Sequence, residues 1–396
     1  MVPVTLTKPS APTYVAGVYY DGLIPLTAAN CADAKYLQLD VSSSVTVGTA
    51  QINIVKKVTK APTIPSVVLN TELNNWTWVR GMCNGGWCSA ESTAVSGLNM
   101  LKAHRISVYK SEVSSSLASW QQMVQPYQMD AVFTEFGDAP AWIANLPANS
   151  RYWAYVIDEP KYWDFTTLSQ RLANWAKYPG VKPMMTSPLR QRDYNPANTA
   201  TFGKIVDWPA DVKAGIKIHV PVAEEFCQET WKGSGDWYAC KADYDAAGKE
   251  LWLYVSNMSH GNEGGNADGA PDLVIDRPAS ESFGFYLLAL KYGIKNLLYY
   301  NSIEGWELIQ TQDIWTNPYQ FGGNGDGLLL YPDRTNKVAF ASIRLKLLRE
   351  ASQFADIINA AGMSAQAGAL VTDTLHWNHD LAAIAAVRDQ ALAKLQ

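Results

Sequence analysis

Two adjacent carboxylates, Asp158 and Glu159, are the side chains best placed for chemistry in this chain. They end the aromatic and β-branched stretch RYWAYVIDEPKYW (residues 151–163), and Pro160 follows them directly. Adjacent acids repel each other, so chance rarely leaves two of them at the exit of a strand. Two carboxylates in unlike environments can divide acid and electrostatic roles, and we therefore expect this pair to be catalytic.

Side-chain alternation predicts which face of this strand each residue occupies. Ala154, Val156 and Asp158 would share one face, whereas Trp153 would lie on the other. The smaller face suits a barrel interior, so we expect Trp153 to face outward. The proline that follows would hold Glu159 extended and let its side chain swing toward the same opening as Asp158.

Apolar stretches alternate with helical ones from residue 66 onward, which is typical of β–α units around a parallel sheet. The eight strand candidates are SVVLNTEL, RISVYKSEV, DAVFTEFGD, YWAYVIDEP, VKPMMTSPLR, GIKIHVPVAEEF, LWLYVSNMSH and IKNLLYYNSIEGW. Helical spacing of apolar residues predicts helices over 89–104, 166–177, 279–292 and 338–360. We therefore expect an α/β fold, a (β/α)8 TIM barrel over residues 66–396, with a small β-rich appendage over residues 1–65.

Acidic residues follow most of these predicted strands. In a parallel barrel the reacting groups come from the carboxyl ends of the strands and the loops beyond them. The acids in such positions are Glu72, Glu112, Glu135, Asp138, Asp158, Glu159, Glu224 and Glu225. This ring favours a polyhydroxylated or cationic ligand over a phosphate, and we expect Glu72 and Glu135 to bind substrate. The alternative for the members outside the pair is a solvated loop charge or a partner for a helix N-terminus.

Further substrate-binding candidates lie in the last predicted strands and the loops after them. Asn257 and His260 end LWLYVSNMSH, and Tyr300 and Trp306 lie in and after the eighth strand. Aromatic faces pack on the apolar faces of sugar rings; core packing is the commoner use of such residues, and Trp306 is the exception that we favour. Asp326, in the Gly-rich FGGNGDGLLLYP, would bond a sugar hydroxyl or cap a turn.

Carboxylate pairs at barrel mouths indicate cleavage of glycosidic bonds. A neighbouring Asp and Glu fit substrate assistance, in which the 2-acetamido oxygen of the sugar attacks its own anomeric carbon. Asp158 would orient and stabilise the amide nitrogen, while Glu159 would act as general acid and then as base. Two alternatives stay open: a glycanase that uses a carboxylate nucleophile from another strand, such as Glu304 or Glu135, and a carbohydrate-binding barrel without activity.

Composition limits the partners. Lys and Arg number 32 and Asp and Glu 37, so the net charge of −5 argues against binding nucleic acid. We expect an oligosaccharide or polysaccharide substrate, no membrane span, and neither a metal nor an organic cofactor; the oligomeric state stays open.

The cysteines predict disulfides between Cys83 and Cys88 and between Cys227 and Cys240, with inert buried thiols as the alternative. Such bonds would place the protein outside the cell or in the periplasm, although the chain begins without a signal segment.

The chain resembles the family 123 glycoside hydrolases and related bacterial barrel domains over roughly residues 66–360. The motifs are IDEP at 157–160, ELWLYVSN at 250–257, ESFGFYLLALKYGIKNLLYYN at 281–301 followed by Trp306, NGDGLLLYP at 324–332 and ASIRLKLLRE at 341–350. This resemblance implies a retaining β-N-acetylgalactosaminidase that uses substrate assistance. It makes Asp158 the acetamide stabiliser and Glu159 the acid/base. The CNGGWC loop and the segment between Cys227 and Cys240 depart from the family pattern.

Overall fold

A computed structural model describes much of the chain after residue 90 and short strands before it. The described residues are 36–39, 54–57, 74–79, 91–111, 131–135, 151–227, 237–256, 269–306, 313–320, 323–333, 335–336 and 338–395. The chain divides into two compact units, one of Met1–Val68 with Ala393–Gln396 and one of Leu69–Leu392. In the first unit, β1 (Tyr36–Leu39) and β2 (Ile54–Lys57) pair antiparallel, within the region predicted to be β-rich.

One sheet dominates the second unit. Among the described residues it has eight strands in the order β4-β3-β12-β11-β10-β7-β6-β5, and every neighbouring pair is parallel. The strands are β3 (Asn74–Val79), β4 (Ile106–Ser111), β5 (Ala131–Glu135), β6 (Arg151–Ile157), β7 (Lys182–Met185), β10 (Ile218–His219), β11 (Glu250–Val255) and β12 (Asn296–Tyr299).

The strand order supports closure of this sheet. From the β5 edge, neighbouring strands follow chain order up to β12, and β12 is followed by β3 and β4, the first two strands of the sheet. The two edge strands, β4 and β5, are therefore consecutive in the chain. Cα atoms of these two strands come within 8 Å of each other. We propose that the sheet closes here as the (β/α)8 barrel that the sequence predicts.

Two strand predictions change in detail. The first strand of the sheet is β3, at Asn74–Val79, and the predicted strand at 66–73 lies outside the described residues. Between β7 and β10 the chain forms a hairpin of β8 (Arg190–Arg192) and β9 (Ile205–Asp207), which pair only with each other in the described chain. The hairpin therefore leaves β10 as the sixth strand of the sheet.

The two faces of the sheet carry different neighbours. On one face, which would be the interior of the proposed barrel and is called the inner face here, side chains from five adjacent strands and the residues next to them pack together. They are Trp153, Tyr155, Met184, Ile218, Val220, Val222, Trp252, Tyr254 and Leu298. On the outer face, Ala154, Val156 and Met185 pack under helical residues such as Leu168 and Trp175. The predicted facing of this strand is therefore wrong, because the small residues make room for a helix and the large aromatics fill the interior.

The described helices are α1 (Glu91–Ala103), α2 (Phe165–Trp175), α3 (Ala210–Gly215), α4 (Lys241–Ala246), α5 (Glu281–Tyr292), α6 (Ile343–Ala360), α7 (Ser364–Gly368) and α8 (Leu381–Leu395). The helix predicted over 338–360 begins at Ile343, because Ser342 caps it by accepting a hydrogen bond from the amide of Leu345 at 3.2 Å. The residues before it form β16 (Val338–Ala341), which pairs antiparallel with β15 (Leu330–Asp333). A short hairpin of β13 (Tyr319–Gln320) and β14 (Gly323–Asn324) precedes them.

None of the helices in the described parts of the chain combines the length and apolarity that crossing a bilayer requires.

Helix α5 packs so closely on the C-terminal region that one glycine is required. A Cβ atom at Gly284 would lie 2.6 Å from ring carbons of Trp377, whereas one at Gly180 would meet no atom within 4 Å. We expect Gly284→Ala to lower the free energy of unfolding by about 1–3 kcal/mol through overpacking, measured by urea denaturation. Gly180→Ala is the control. A Gly284→Ala protein as stable as this control would contradict the packing.

Candidate functional site

The site begins with an irregularity at the end of β6. The register between β6 and β7 shifts between Tyr155 and Ile157, which leaves Val156 outside the regular ladder. Arg171 of α2 holds this point by donating from Nη1 to the carbonyl of Val156 at 2.6 Å. A bulge of this kind bends its strand and re-aims the side chains after it. Those side chains are the Asp158–Glu159 pair.

The Asp158 carboxylate is held by two hydroxyl groups. Its Oδ1 atom accepts a hydrogen bond from Thr186 Oγ1 at 2.7 Å and a second from the phenol of Tyr155. The same Thr186 oxygen accepts from the backbone N–H of Glu159 at 2.8 Å. Thr186 directly follows β7 and is buried, as is Tyr155 on the inner face. The two strands thus orient one acid and the backbone of the other together.

The Glu159 carboxylate reaches across the sheet. Its Oε1 atom accepts a hydrogen bond of 2.6 Å from the phenol of Tyr254, which belongs to β11, three strands from β6 in the sheet order. The backbone of Glu159 has φ of +37°, a left-handed conformation and not the extended one predicted from Pro160. Both carboxylates are exposed, whereas the phenols that bind them are buried. A ligand can therefore reach the acids while the inner face holds them in place.

Electrostatics keep Tyr254 in its donor form. Burial raises the pKa of Tyr254 well above its ordinary value, and the negative charges of Glu159, Glu225 and Asp158 raise it further. The phenol therefore stays protonated at neutral pH and donates to Glu159. Glu225 follows Val222, which forms a parallel bridge with Tyr254, by three residues, so we include Glu225 in the site.

Glu225 is fixed by the segment that the second predicted disulfide closes. The phenol of Tyr238 donates to Glu225 Oε1 at 3.2 Å. Cys227 and Cys240 form a disulfide with Cα atoms 4.0 Å apart, as predicted, and join the chain after Glu225 to the chain after Tyr238. The predicted Cys83–Cys88 bond lies outside the described residues.

Trp306 does not belong to this site. The predicted sugar-stacking residue is 0% exposed, and its indole N–H donates to the carbonyl of Leu330 at 2.9 Å. A ring buried on both sides cannot present a face to a ligand. We therefore correct this prediction: Trp306 is a core residue, which is the use of large aromatics that packing favours.

Asp326 and Tyr300 come together in a second, buried cluster. Asp326 is buried and accepts a hydrogen bond from the phenol of Tyr299 at 3.2 Å. Burial raises the pKa of Tyr300, and the charge of Asp326 raises it further. Asp272 lies nearby, because Arg344 Nη1 donates both to the carbonyl of Leu273 and to that of Gly325, the residues next to the two acids. The amide of Asp272 donates to Glu281 Oε2 at 3.0 Å. None of these contacts involves the Asp158–Glu159 pair.

The other predicted binding residues are not described in full. Asn257 and His260 lie outside the described residues, as does Glu72. Glu72 was predicted to end the strand at 66–73, which also lies outside the described residues, so its role stays a prediction. Glu135 ends β5, with its backbone opposite Tyr155 of β6, and that position agrees with an acid at the carboxyl edge of the sheet.

Sequence reasoning missed the hydroxyl groups that bind the pair. In the sequence, Tyr155, Tyr254 and Thr186 are ordinary members of three predicted strands. One signal was present: each tyrosine occurs two residues after a tryptophan, Trp153 and Trp252, at a spacing that puts both pairs on one sheet face. The two tryptophan rings do meet, with centroids 5.2 Å apart.

No group of three or more His, Cys, Asp or Glu side chains among the described residues is arranged to hold a metal ion. A scan against models of protein families found no match, and a search of curated proteins found no relative. The resemblance to the family 123 glycoside hydrolases therefore rests on the sequence motifs alone.

The left-handed backbone at Glu159 yields a test of local strain. A Cβ atom costs energy at positive φ, so Glu159→Gly should be more stable than Glu159→Ala by about 1 kcal/mol, although glycine is normally the weaker choice. Gln170, exposed in the middle of α2, is the control, and there the alanine variant should be the more stable one because glycine weakens a helix interior. Thermal denaturation of the four variants measures both differences. The same order at both positions would contradict strain at Glu159.

The buried acids of the second cluster predict how stability depends on pH. Burial raises the pKa of Asp272 to about 7, helped by the charges of Asp326 and Glu281, and burial likewise raises the pKa of Glu281 to about 7. Between about pH 4 and pH 7 the folded chain thus binds more protons than the unfolded chain, and the free energy of unfolding falls as pH rises through that window.

Asp272→Asn should remove part of this loss while keeping an acceptor for the amide of Val274. We expect the variant to gain stability over the wild type at pH 8 relative to pH 5, on the order of 2 kcal/mol, measured by urea denaturation. The exposed Asp276→Asn is the control and should show no such gain. A constant difference between Asp272→Asn and wild type across this range would rule out the raised pKa.

Proposed function

We propose that this protein is a glycoside hydrolase that cleaves a β-linked N-acetylhexosamine, with N-acetylgalactosamine as the favoured sugar. One observation carries the proposal: two adjacent exposed carboxylates are held by different buried hydroxyls, Asp158 by Tyr155 and Thr186, and Glu159 by Tyr254. Neighbours in the chain thereby have unlike environments, as separate roles in catalysis require.

Asp158 suits the orienting role. One of its oxygens already accepts two hydrogen bonds, so the carboxylate is fixed in direction and acts as an acceptor. An acceptor aimed at the amide N–H of a 2-acetamido group turns the acetamido oxygen toward the anomeric carbon. It also stabilises the positive charge that the oxazolinium intermediate carries on nitrogen.

Glu159 suits proton transfer. As acid it would give its proton to the leaving glycosidic oxygen while the acetamido oxygen bonds to the anomeric carbon, and as base it would take a proton from the water that opens the intermediate. Retention of configuration follows from these two displacements. An oligosaccharide or polysaccharide is the substrate of this proposal, and the Cys227–Cys240 disulfide supports a secreted or periplasmic location.

The glycanase alternative requires a nucleophile from another strand. Glu304 is a poor candidate, because it is buried and accepts a hydrogen bond from the side chain of Asn301. Glu135 keeps that alternative open at the end of β5. The carbohydrate-binding alternative differs from both in predicting affinity without turnover.

The proposal is tested with chromogenic β-N-acetylgalactosaminides and the matching plain galactosides. Glu159→Gln should lower kcat by about 10²–10⁴-fold because proton transfer is lost, and Asp158→Asn should slow formation of the oxazoline intermediate. Asp245→Asn, an exposed acid on α4, is the control. A thiazoline mimic of the intermediate should inhibit the wild type. Wild-type turnover by Glu159→Gln, or equal cleavage of sugars without the acetamido group, would refute the proposal.

A further inference from the structure

Glu225 is positioned by a different part of the chain from the Asp158–Glu159 pair. Just before Glu225, Val222 forms a parallel bridge with Tyr254, and the amide of Tyr254 donates to the carbonyl of Pro221 at 3.1 Å. A single 3-10 turn, Ala223–Glu225, follows. The chain therefore leaves the sheet beside the tyrosine that binds Glu159, and Glu225 is three residues beyond that point.

The position of Glu225 is held from the other side. Tyr238 donates to its carboxylate, and the amide of Cys227 donates to the carbonyl of Ala239 at 3.1 Å beside the disulfide. Arg192 of the β8–β9 hairpin hydrogen-bonds to Tyr238. A carboxylate tied to a sheet strand, a disulfide-closed segment and a hairpin is placed as firmly as the pair itself.

Burial and neighbouring charges together set the pKa of Glu225. Burial raises the pKa of Glu225 and the negative charge of Glu159 raises it further, against the lowering effects of Lys161, Tyr238 and Arg192. Burial, and after it the charge of Glu225, raises the pKa of Tyr254 and of Tyr244, so both phenols are protonated and neutral. Removing the charge of Glu159 should therefore lower the pKa of Glu225.

We propose that Glu225 is a positioning residue for proton transfer in this site, and that the Glu159–Glu225 pair retains one proton for Glu159 to deliver to the leaving oxygen. This inference rests on the proposed glycosidase activity. Glu225 itself touches no reacting atom and acts through Glu159.

The proton inventory closes without another reactant. As the glycosidic C–O bond breaks, its electron pair passes to the leaving oxygen, which takes the proton of Glu159, and the acetamido oxygen forms its bond to the anomeric carbon. Water then adds to that carbon, the bond to the acetamido oxygen opens, and the proton of the water returns to Glu159. Glu225 favours this return, because its negative charge acts on the same part of the site as that of Glu159.

The first arm of the test needs no turnover. Carbon NMR of protein labelled at the glutamate carboxyls follows Glu225 through a pH titration, with its signal assigned by its loss in Glu225→Gln. In Glu159→Gln the midpoint of Glu225 should fall by about one pH unit, because the neighbouring charge is gone. A midpoint that does not move would overturn the coupling.

The second arm is the pH profile of kcat/KM. Glu225→Gln should move the alkaline limb to lower pH by about one unit, with kcat at the optimum within about tenfold of wild type. Glu225→Asp keeps the charge and should restore the wild-type limb, and the neighbouring Glu224→Gln is the matched control. A merely structural role for Glu225 would lower activity without moving the limb.

The remaining outcomes separate the two proposals. An unchanged limb in Glu225→Gln, or a complete loss of turnover that added azide restores, would overturn the positioning role, the latter because azide replaces a nucleophile. A wild-type protein that cleaves no glycoside would defeat the proposed function instead. In that case the NMR titration alone decides whether the two carboxyls share a proton.

Discussion

The hydrogen bond from Tyr254 to Glu159 is the interaction on which the candidate site depends. It joins the end of β6 to β11 across two intervening strands, and its donor is buried on the inner face of the sheet. Because burial and neighbouring negative charges keep the phenol protonated, the bond persists at neutral pH. Without this hydrogen bond, no other described contact would direct the exposed side chain of Glu159 over the sheet.

Much of the fold follows from hydrophobic patterning. Seven of the predicted strand stretches overlap strands of the main sheet. The helices at Glu91–Ala103, Phe165–Trp175 and Glu281–Tyr292 match the predicted helical stretches closely. Parallel strands buried on both faces appear as continuous apolar runs, which makes them easy to locate but hides which side is inside. For this reason the facing of Trp153 and Ala154 was predicted the wrong way round.

The two acids of the candidate site could be predicted from the sequence, but the residues that bind and orient them could not. Adjacent carboxylates before a proline are visible in any sequence, whereas the shift at Val156 depends on the ladder with β7 and on Arg171. The contacts of Tyr254 and Thr186 join distant parts of the chain, and no local pattern records them. The prediction that Trp306 binds a sugar was wrong for a related reason, because its burial results from residues that come together only in the folded chain.

The bulge at Val156 also limits what the short sequence IDEP means by itself. On a regular strand the same four residues would send neighbouring side chains to opposite faces, and one carboxyl would be lost under a helix. Transferring the motif to another parallel sheet would therefore require Arg171 and Thr186 as well. Distant proteins with the same site are better sought by comparing the three-dimensional arrangement of the guanidinium group, the bulge and the phenols than by comparing sequences.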